Sequence, residues 1–228
     1  MNDNTYSFKI SVVFDNKCKK EGFSTGFGFS ALVYNNFSKS NILFDTGGNG
    51  RVLVSNLQKL NITPKDIKKV VISHNHHDHA GGLDRIYKGN PDIEIYVPNK
   101  NFGTYKEHFS NSRVTGVSDL QEIDSYIYSP GEFGSFIREQ ALYLKTKNDK
   151  IVILVGCTHP GLEKFIIKAR EMADIQAVIG GFHGFRKFSY LKGIDFIGAC
   201  HCTSYMNEIR NRFPKQFKKI CVGSSFQF

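Results

Sequence analysis

Residues 73–82 read Ser-His-Asn-His-His-Asp-His-Ala-Gly-Gly, and four of the chain's eight histidines fall inside this run. Imidazole and carboxylate are the ligands that divalent zinc, iron and manganese take. His74 and His76 are two residues apart, so in an extended segment they point the same way and can grip one ion. Asp78 and His79 follow where the chain turns toward a helix, and they can face a second position. Gly81 and Gly82 permit the tight turn. A catalytic zinc keeps three protein ligands and leaves its fourth place to water. His159 is the expected third partner of His74 and His76, and His201 that of Asp78 and His79. The expected cofactors are two divalent cations, Zn2+ first, with Mn2+ or Fe2+ as alternatives. Such a pair, about 3.5–4 Å apart, brings a shared water toward a pKa of about 7.

These residues need a frame. Period-two or short apolar runs predict strands over 8–14, 30–34, 40–44, 70–72, 93–97, 141–145, 151–155, 177–179 and 195–199. The tail over 219–228 could add one more. Helical spacing predicts helices over 52–60, 80–87, 162–172 and 204–213, with a proline-led start at Thr63-Pro64. Residues 99–140 are the least regular part, read equally as a lid or insertion and as a plain excursion with short strands. Their rings Phe102, Tyr105, Phe109, Tyr126 and Tyr128 could wall a flat substrate, and a core role is at least as well supported. Asp45, the 74–79 cluster, His159, His183 and His201 each follow a predicted strand. In layered α/β folds the loops beyond strand ends are where sites assemble.

Asp45 is expected to hydrogen-bond a ligand histidine or the loop backbone. His183 is open between ligand, hydrogen-bonding neighbour and structural residue. Asp78, His183 and Asp45 are the candidate catalytic residues. His77 and His108 are expected on the surface.

The chain of 228 residues suits a single domain spanning 1–228. Its net charge of +9 favours an anionic partner such as a phosphate ester, a nucleotide or a nucleic acid, and equally fits a generally basic surface. No dense basic run marks a nucleic-acid tract, so an anionic small-molecule substrate is expected ahead of nucleic acid. No stretch reaches the roughly 20 apolar residues that cross a bilayer, and no signal peptide is visible. A cytoplasmic protein without membrane partners is expected. The five cysteines form no Cys-x-x-Cys pair, which argues against a disulfide framework or zinc ribbon. Cys18 and Cys221 are expected as buried thiols. Cys157, Cys200 and Cys202 flank the histidines and either bind metal or pack behind them, with packing favoured.

The pattern resembles the metallo-β-lactamase superfamily. Leu-Phe-Asp45-Thr-Gly, Ser-His74-Asn-His76-His77-Asp78-His79-Ala-Gly-Gly, His159 and His201 stand in the order of its landmarks. The resemblance implies an α/β fold, an αββα sandwich of two mixed β-sheets flanked by helices, with a dinuclear site along one edge. Its fourth landmark is normally an acidic residue bridging both metals. Here that strand ends in Gly180-Gly181-Phe182-His183, so either His183 takes the place or solvent alone bridges. Gly-Cys157-Thr-His159-Pro-Gly, Gly-Gly-Phe-His183 and His201-Cys202-Thr look like the branch related to 7,8-dihydropterin-6-yl-methyl-4-(β-D-ribofuranosyl)aminobenzene-5'-phosphate synthase. That branch implies a metal-dependent hydrolase or transferase acting on a phosphorylated, pterin-like small molecule. The alternatives are a nuclease or phosphodiesterase of the same fold, and a non-hydrolytic di-iron redox protein or metal-binding sensor.

Overall fold

The alternating run at the start of the chain forms β1 (Phe8–Phe14), which pairs antiparallel with β2 (Ser30–Asn35); β2 pairs in turn with β3 (Ser40–Phe44). The computed structural model describes residues 6–228. Beyond β3 the sheet continues in parallel through β4 (Ile67–Val71), β5 (Glu94–Pro98) and β6 (Arg113–Val117). The tail closes the other edge as β13 (Ser225–Gln227), antiparallel to β1. A second sheet has the order β12-β11-β10-β9-β8-β7. It is built from β7 (Asp119–Asp124), β8 (Ile127–Gly131), β9 (Leu142–Lys145), β10 (Lys150–Val155), β11 (Asp174–Gly181) and β12 (Phe196–Cys200). The last three strands of this sheet run parallel.

Three apolar layers fix the architecture. Ile10, Val33, Phe44 and Val71 from one sheet meet Leu144, Val152 and Ile179 from the other in the central core. The outer face of the first sheet is covered by α1 (Gly50–Gln58), α3 (Leu83–Gly89) and α4 (Phe102–His108), through Leu53, Leu57, Ile86 and Tyr105. α5 (Leu162–Arg170) and α6 (Met206–Arg212) cover the second sheet with Phe165, Ile166 and Ile209. The result is an αββα sandwich, because each sheet has two apolar faces and each helix only one.

The helix expected over 80–87 is divided. α2 (His77–Ala80) is a single turn, and Gly81-Gly82 separates it from α3. A Cβ on Gly82 would collide with the Thr46 carbonyl, so this junction requires glycine. Residues 99–140 hold α4 and β6–β8 and thereby join both sheets. Tyr105 and Phe109 are buried in the outer core, and Phe102 and Tyr128 pack against core clusters. Tyr126 stacks on Phe37, with ring centroids 4.5 Å apart. Four of these rings serve the core, and two of them, Tyr105 and Phe109, also line a cavity of about 380 Å3 beside Asn75 and His77. Cys18 and Cys221 are not the separate thiols expected from the sequence. They are joined as a disulfide, in two segments lying side by side through Val222 N–H to Cys18 O at 2.9 Å and Lys20 N–H to Val222 O at 2.8 Å.

Candidate metal centre

The parallel strands of both sheets end at one edge of the sandwich. Asp45 follows β3, residues 73–79 follow β4, residues 157–159 follow β10, and His183 and His201 follow β11 and β12. The two sheets are drawn together there by Gln140, whose side chain donates to Ile72 O at 2.9 Å and whose N–H donates to Ser73 O at 2.9 Å. Gly156 completes the approach, since a Cβ there would strike the Ser73 hydroxyl. Asp45, Thr158, His183 and His201 all have left-handed backbone, with φ of 56°, 62°, 41° and 47°. Each such residue costs on the order of 1 kcal/mol, and such strain clusters at functional sites.

Four of the imidazoles are each held from behind by an oxygen. His74 Nδ1 meets Ser73 Oγ at 2.9 Å, and His79 Nδ1 meets Asp45 Oδ2 at 2.7 Å. His159 Nδ1 meets Glu139 Oε2 at 3.0 Å, and His201 Nδ1 meets Asn16 Oδ1 at 2.9 Å. With Nδ1 so engaged, Nε2 is the nitrogen left for the interior of the site. His74 Nε2 lies 3.1 Å from His76 Nδ1. His79 Nε2 lies 3.2 Å from His201 Nε2 and 3.1 Å from Cys157 Sγ. Asp78 Oδ2 is 3.2 Å from His201 Nε2 and 3.6 Å from His79 Nε2.

The ligand-type atoms of Asp78, His79, Cys157 and His201 lie within 4.8 Å of one another, as do those of His74, Cys157 and His159. His76 borders the second group, its ring 4.7 Å from that of His74 and 4.9 Å from that of His159. Five of the six residues expected to hold metal fall in these two groups, and the sixth, His76, is exposed beside the second. His183 is outside both groups. Its side chain is exposed, and its ring stacks 4.9 Å from His159. His77 and His108 are exposed as expected.

Protonation differs across the site: burial works against protonation of His159 and His201, but their hydrogen bonds to Glu139 and Asp78 raise both. Burial holds His74 and His79 down to about 3, so both rings are neutral near pH 7. Burial works to raise Asp78, but the hydrogen bond from His201 and the neighbouring imidazoles hold it well below the usual carboxylate range. Burial also opposes ionisation of Glu139, yet His159, His74 and backbone N–H donors bring it to about 2. Asp45, enclosed completely, is pushed up to about 7 by burial. With His79 donating from Nδ1 to Asp45, its Nε2 lone pair faces His201 Nε2 at 3.2 Å, and that nitrogen lies 3.2 Å from Asp78 Oδ2. Donors of these types packed this closely fit a divalent cation between them.

Several supporting groups were not visible in the sequence. Glu139 is buried and accepts N–H groups from Cys157, Thr158 and His159 at 2.8, 2.7 and 2.9 Å. It therefore shapes the whole His159 loop. Asp15 accepts the His201 N–H at 2.9 Å. Asp45 also accepts from Ser73 N–H at 2.6 Å and Ser73 Oγ at 2.8 Å. Cys157, open in the sequence between metal ligand and packing, is buried with its sulfur 3.1 Å from His79 Nε2.

The chain belongs to the metallo-beta-lactamase superfamily, whose sequence model matches residues 24–188. It is similar to the 7,8-dihydropterin-6-methyl-4-(beta-D-ribofuranosyl)-aminobenzene-5'-phosphate synthase of Methanocaldococcus jannaschii. The two are 28% identical over 89% of this chain and 90% of that one. Among solved structures, the metallo-beta-lactamase fold protein YhfI of Bacillus subtilis superposes with a TM-score of 0.71 at 12% identity, covering 97% of this chain and 99% of that one. The short form of human tRNase Z gives a TM-score of 0.59 at 13% identity, over 96% and 98%. Membership of this superfamily implies divalent metal binding, and the residue groups described above are the candidates for it.

Proposed function

We propose that the protein is a metal-dependent hydrolase or transferase acting on an anionic, phosphorylated small molecule. The observation that carries this reading is the aim of the four rear-anchored imidazoles, whose Nε2 atoms face the same space as Asp78 and His76. His74, His76 and His159 would hold one divalent cation, and Asp78, His79 and His201 a second, with zinc the first candidate. Bound there, the cations would supply Lewis acidity toward a phosphoryl or carbonyl oxygen and a water activated near neutral pH.

The remaining steps belong to the chain. Asp45 and Glu139 fix ring orientation, so the donor atoms need no rearrangement as charge develops. Phe136 is 88% exposed and lines a cavity of about 540 Å3 together with Ser135, His159, Lys164 and His183. Lys164 gives this cavity a positive charge suited to a phosphate, and Phe136 gives it a flat apolar face for a ring. A phosphorylated, pterin-like small molecule, the class of compound in the name of the methanogen synthase, matches both features.

Metal content of the purified chain, followed by assays with phosphomonoester, phosphodiester and thioester substrates, tests the proposal. Two tightly held divalent ions with turnover on a phosphorylated small molecule are expected. Tight metal binding without turnover on any class would instead favour a sensor. Turnover on RNA or DNA whose binding falls steeply with salt would favour a nuclease.

A further inference from the structure

We propose that Cys157 is the shared ligand of this centre, its thiolate joining the two cation positions where the superfamily pattern leads one to expect a carboxylate. The proposal rests on the dinuclear reading above and specifies how its two halves are connected.

Cys157 alone belongs to both ligand-type groups, one with Asp78, His79 and His201 and the other with His74 and His159. Its sulfur is 3.1 Å from His79 Nε2, the nitrogen left without a proton when Nδ1 donates to Asp45. The side chain is 3% exposed and its backbone is fixed, because its N–H donates to Glu139 Oε1 at 2.8 Å. Meanwhile β11, where an acidic bridge is expected, ends in Gly180-Gly181 followed by Phe182, which is buried in the outer core. His183 beyond it is exposed and belongs to neither group. Among the described residues the only carboxylate in either group is Asp78, which belongs to just one of them. Cys202 belongs to neither, although its side chain hydrogen-bonds that of Cys157 and its sulfur lies 3.9 Å from the Cys157 carbonyl oxygen.

A thiolate carries the same single negative charge as a carboxylate and has lone pairs for two cations. On binding, the thiol proton leaves to solvent. Sulfur shared by both positions would favour zinc or iron over manganese or magnesium.

Zinc-edge X-ray absorption of the zinc-loaded full chain, with Cys202→Ala as a parallel sample, reads the bridge directly. A bridging sulfur gives about one sulfur neighbour per zinc near 2.3 Å, averaged over both ions, and a terminal sulfur gives about half of one. The same chain loaded with cobalt(II) should show a near-ultraviolet sulfur-to-cobalt charge-transfer band. Cys157→Asp should lose that band and retain two cobalt ions. Cys157→Ala should lose the band and at least about tenfold in metal affinity. Two bound ions with no sulfur neighbour, with half a sulfur per zinc, or with a band that survives Cys157→Asp would overturn the bridge and leave the metal-dependent reading standing. A parent protein that holds no ion tightly would overturn both.

Discussion

The two sheets contribute to the candidate centre in opposite ways. The first delivers His74, His76, Asp78 and His79 from one turn at the end of β4, secured by Asp45 from the adjacent β3. The second delivers Cys157 with His159, and His201, from separate strand ends, secured by Glu139 and by Asp15 and Asn16. The first half is short-range and is held by a single carboxylate. The second exists only if three strands are in register and buried acidic groups far away in the chain hold the loops. A site of this kind concentrates its chemistry in one sheet and its dependence on tertiary structure in the other.

The largest expected effect comes from the first half. His79→Ala should remove an ion from its position and lower turnover by at least about 100-fold, the upper end of the loss attributed to an outer partner. Full metal occupancy with normal activity would sink the ligand assignment. Asp45→Asn keeps the shape while weakening the hold on His79. A loss of about 10–100-fold in metal affinity is expected by titration against a competing chelator, with the fold retained.

The second half is sharper on stability. Glu139→Gln replaces a buried carboxylate that accepts from three N–H groups, and should cost about 2 kcal/mol, roughly 30-fold in the folded-to-unfolded ratio. The Glu139 carboxyl falls to about 2 in the folded chain from 4.5 when free. Its stabilisation is therefore complete above pH 4.5 and fades as pH drops toward 2. Denaturant melts of the metal-free proteins should show a gap between parent and variant that closes over that interval. A gap independent of pH would remove the carboxylate from the explanation.

The smallest effect belongs to His183→Ala. This exposed ring should change stability by less than about 0.5 kcal/mol, while turnover falls by up to about tenfold through the cavity it lines with Lys164 and Phe136. Unchanged kcat and KM would leave His183 a surface residue.

Legibility followed sequence distance. The His74–His79 cluster was readable because extended backbone sends residues i and i+2 the same way. Strand ends also marked Asp45, His159 and His201, since apolar runs give the strands and the histidines follow them. Glu139 was not readable. It lies in a stretch without clear periodicity, and its partners are 18 to 20 residues away in sequence. Asp15 and Asn16 reach His201 across 186 and 185 positions, beyond any local pattern. The aromatic residues of 99–140 stayed open between wall and core because ring-rich composition is shared by both. Phe136, the ring beside Lys164 and His183, is distinguished only by its exposure.

By itself, the order of residues determined the layered α/β character, the donor-rich turn after the fourth strand and the strand ends at which further imidazoles wait. Tertiary structure alone decided that a sulfur stands where both donor groups meet, that Cys18 lies against Cys221, and which oxygens turn each ring inward. Short-range spacing follows from backbone geometry. Contacts between distant segments are decided only when two sheets close over a common core and bring their edges together.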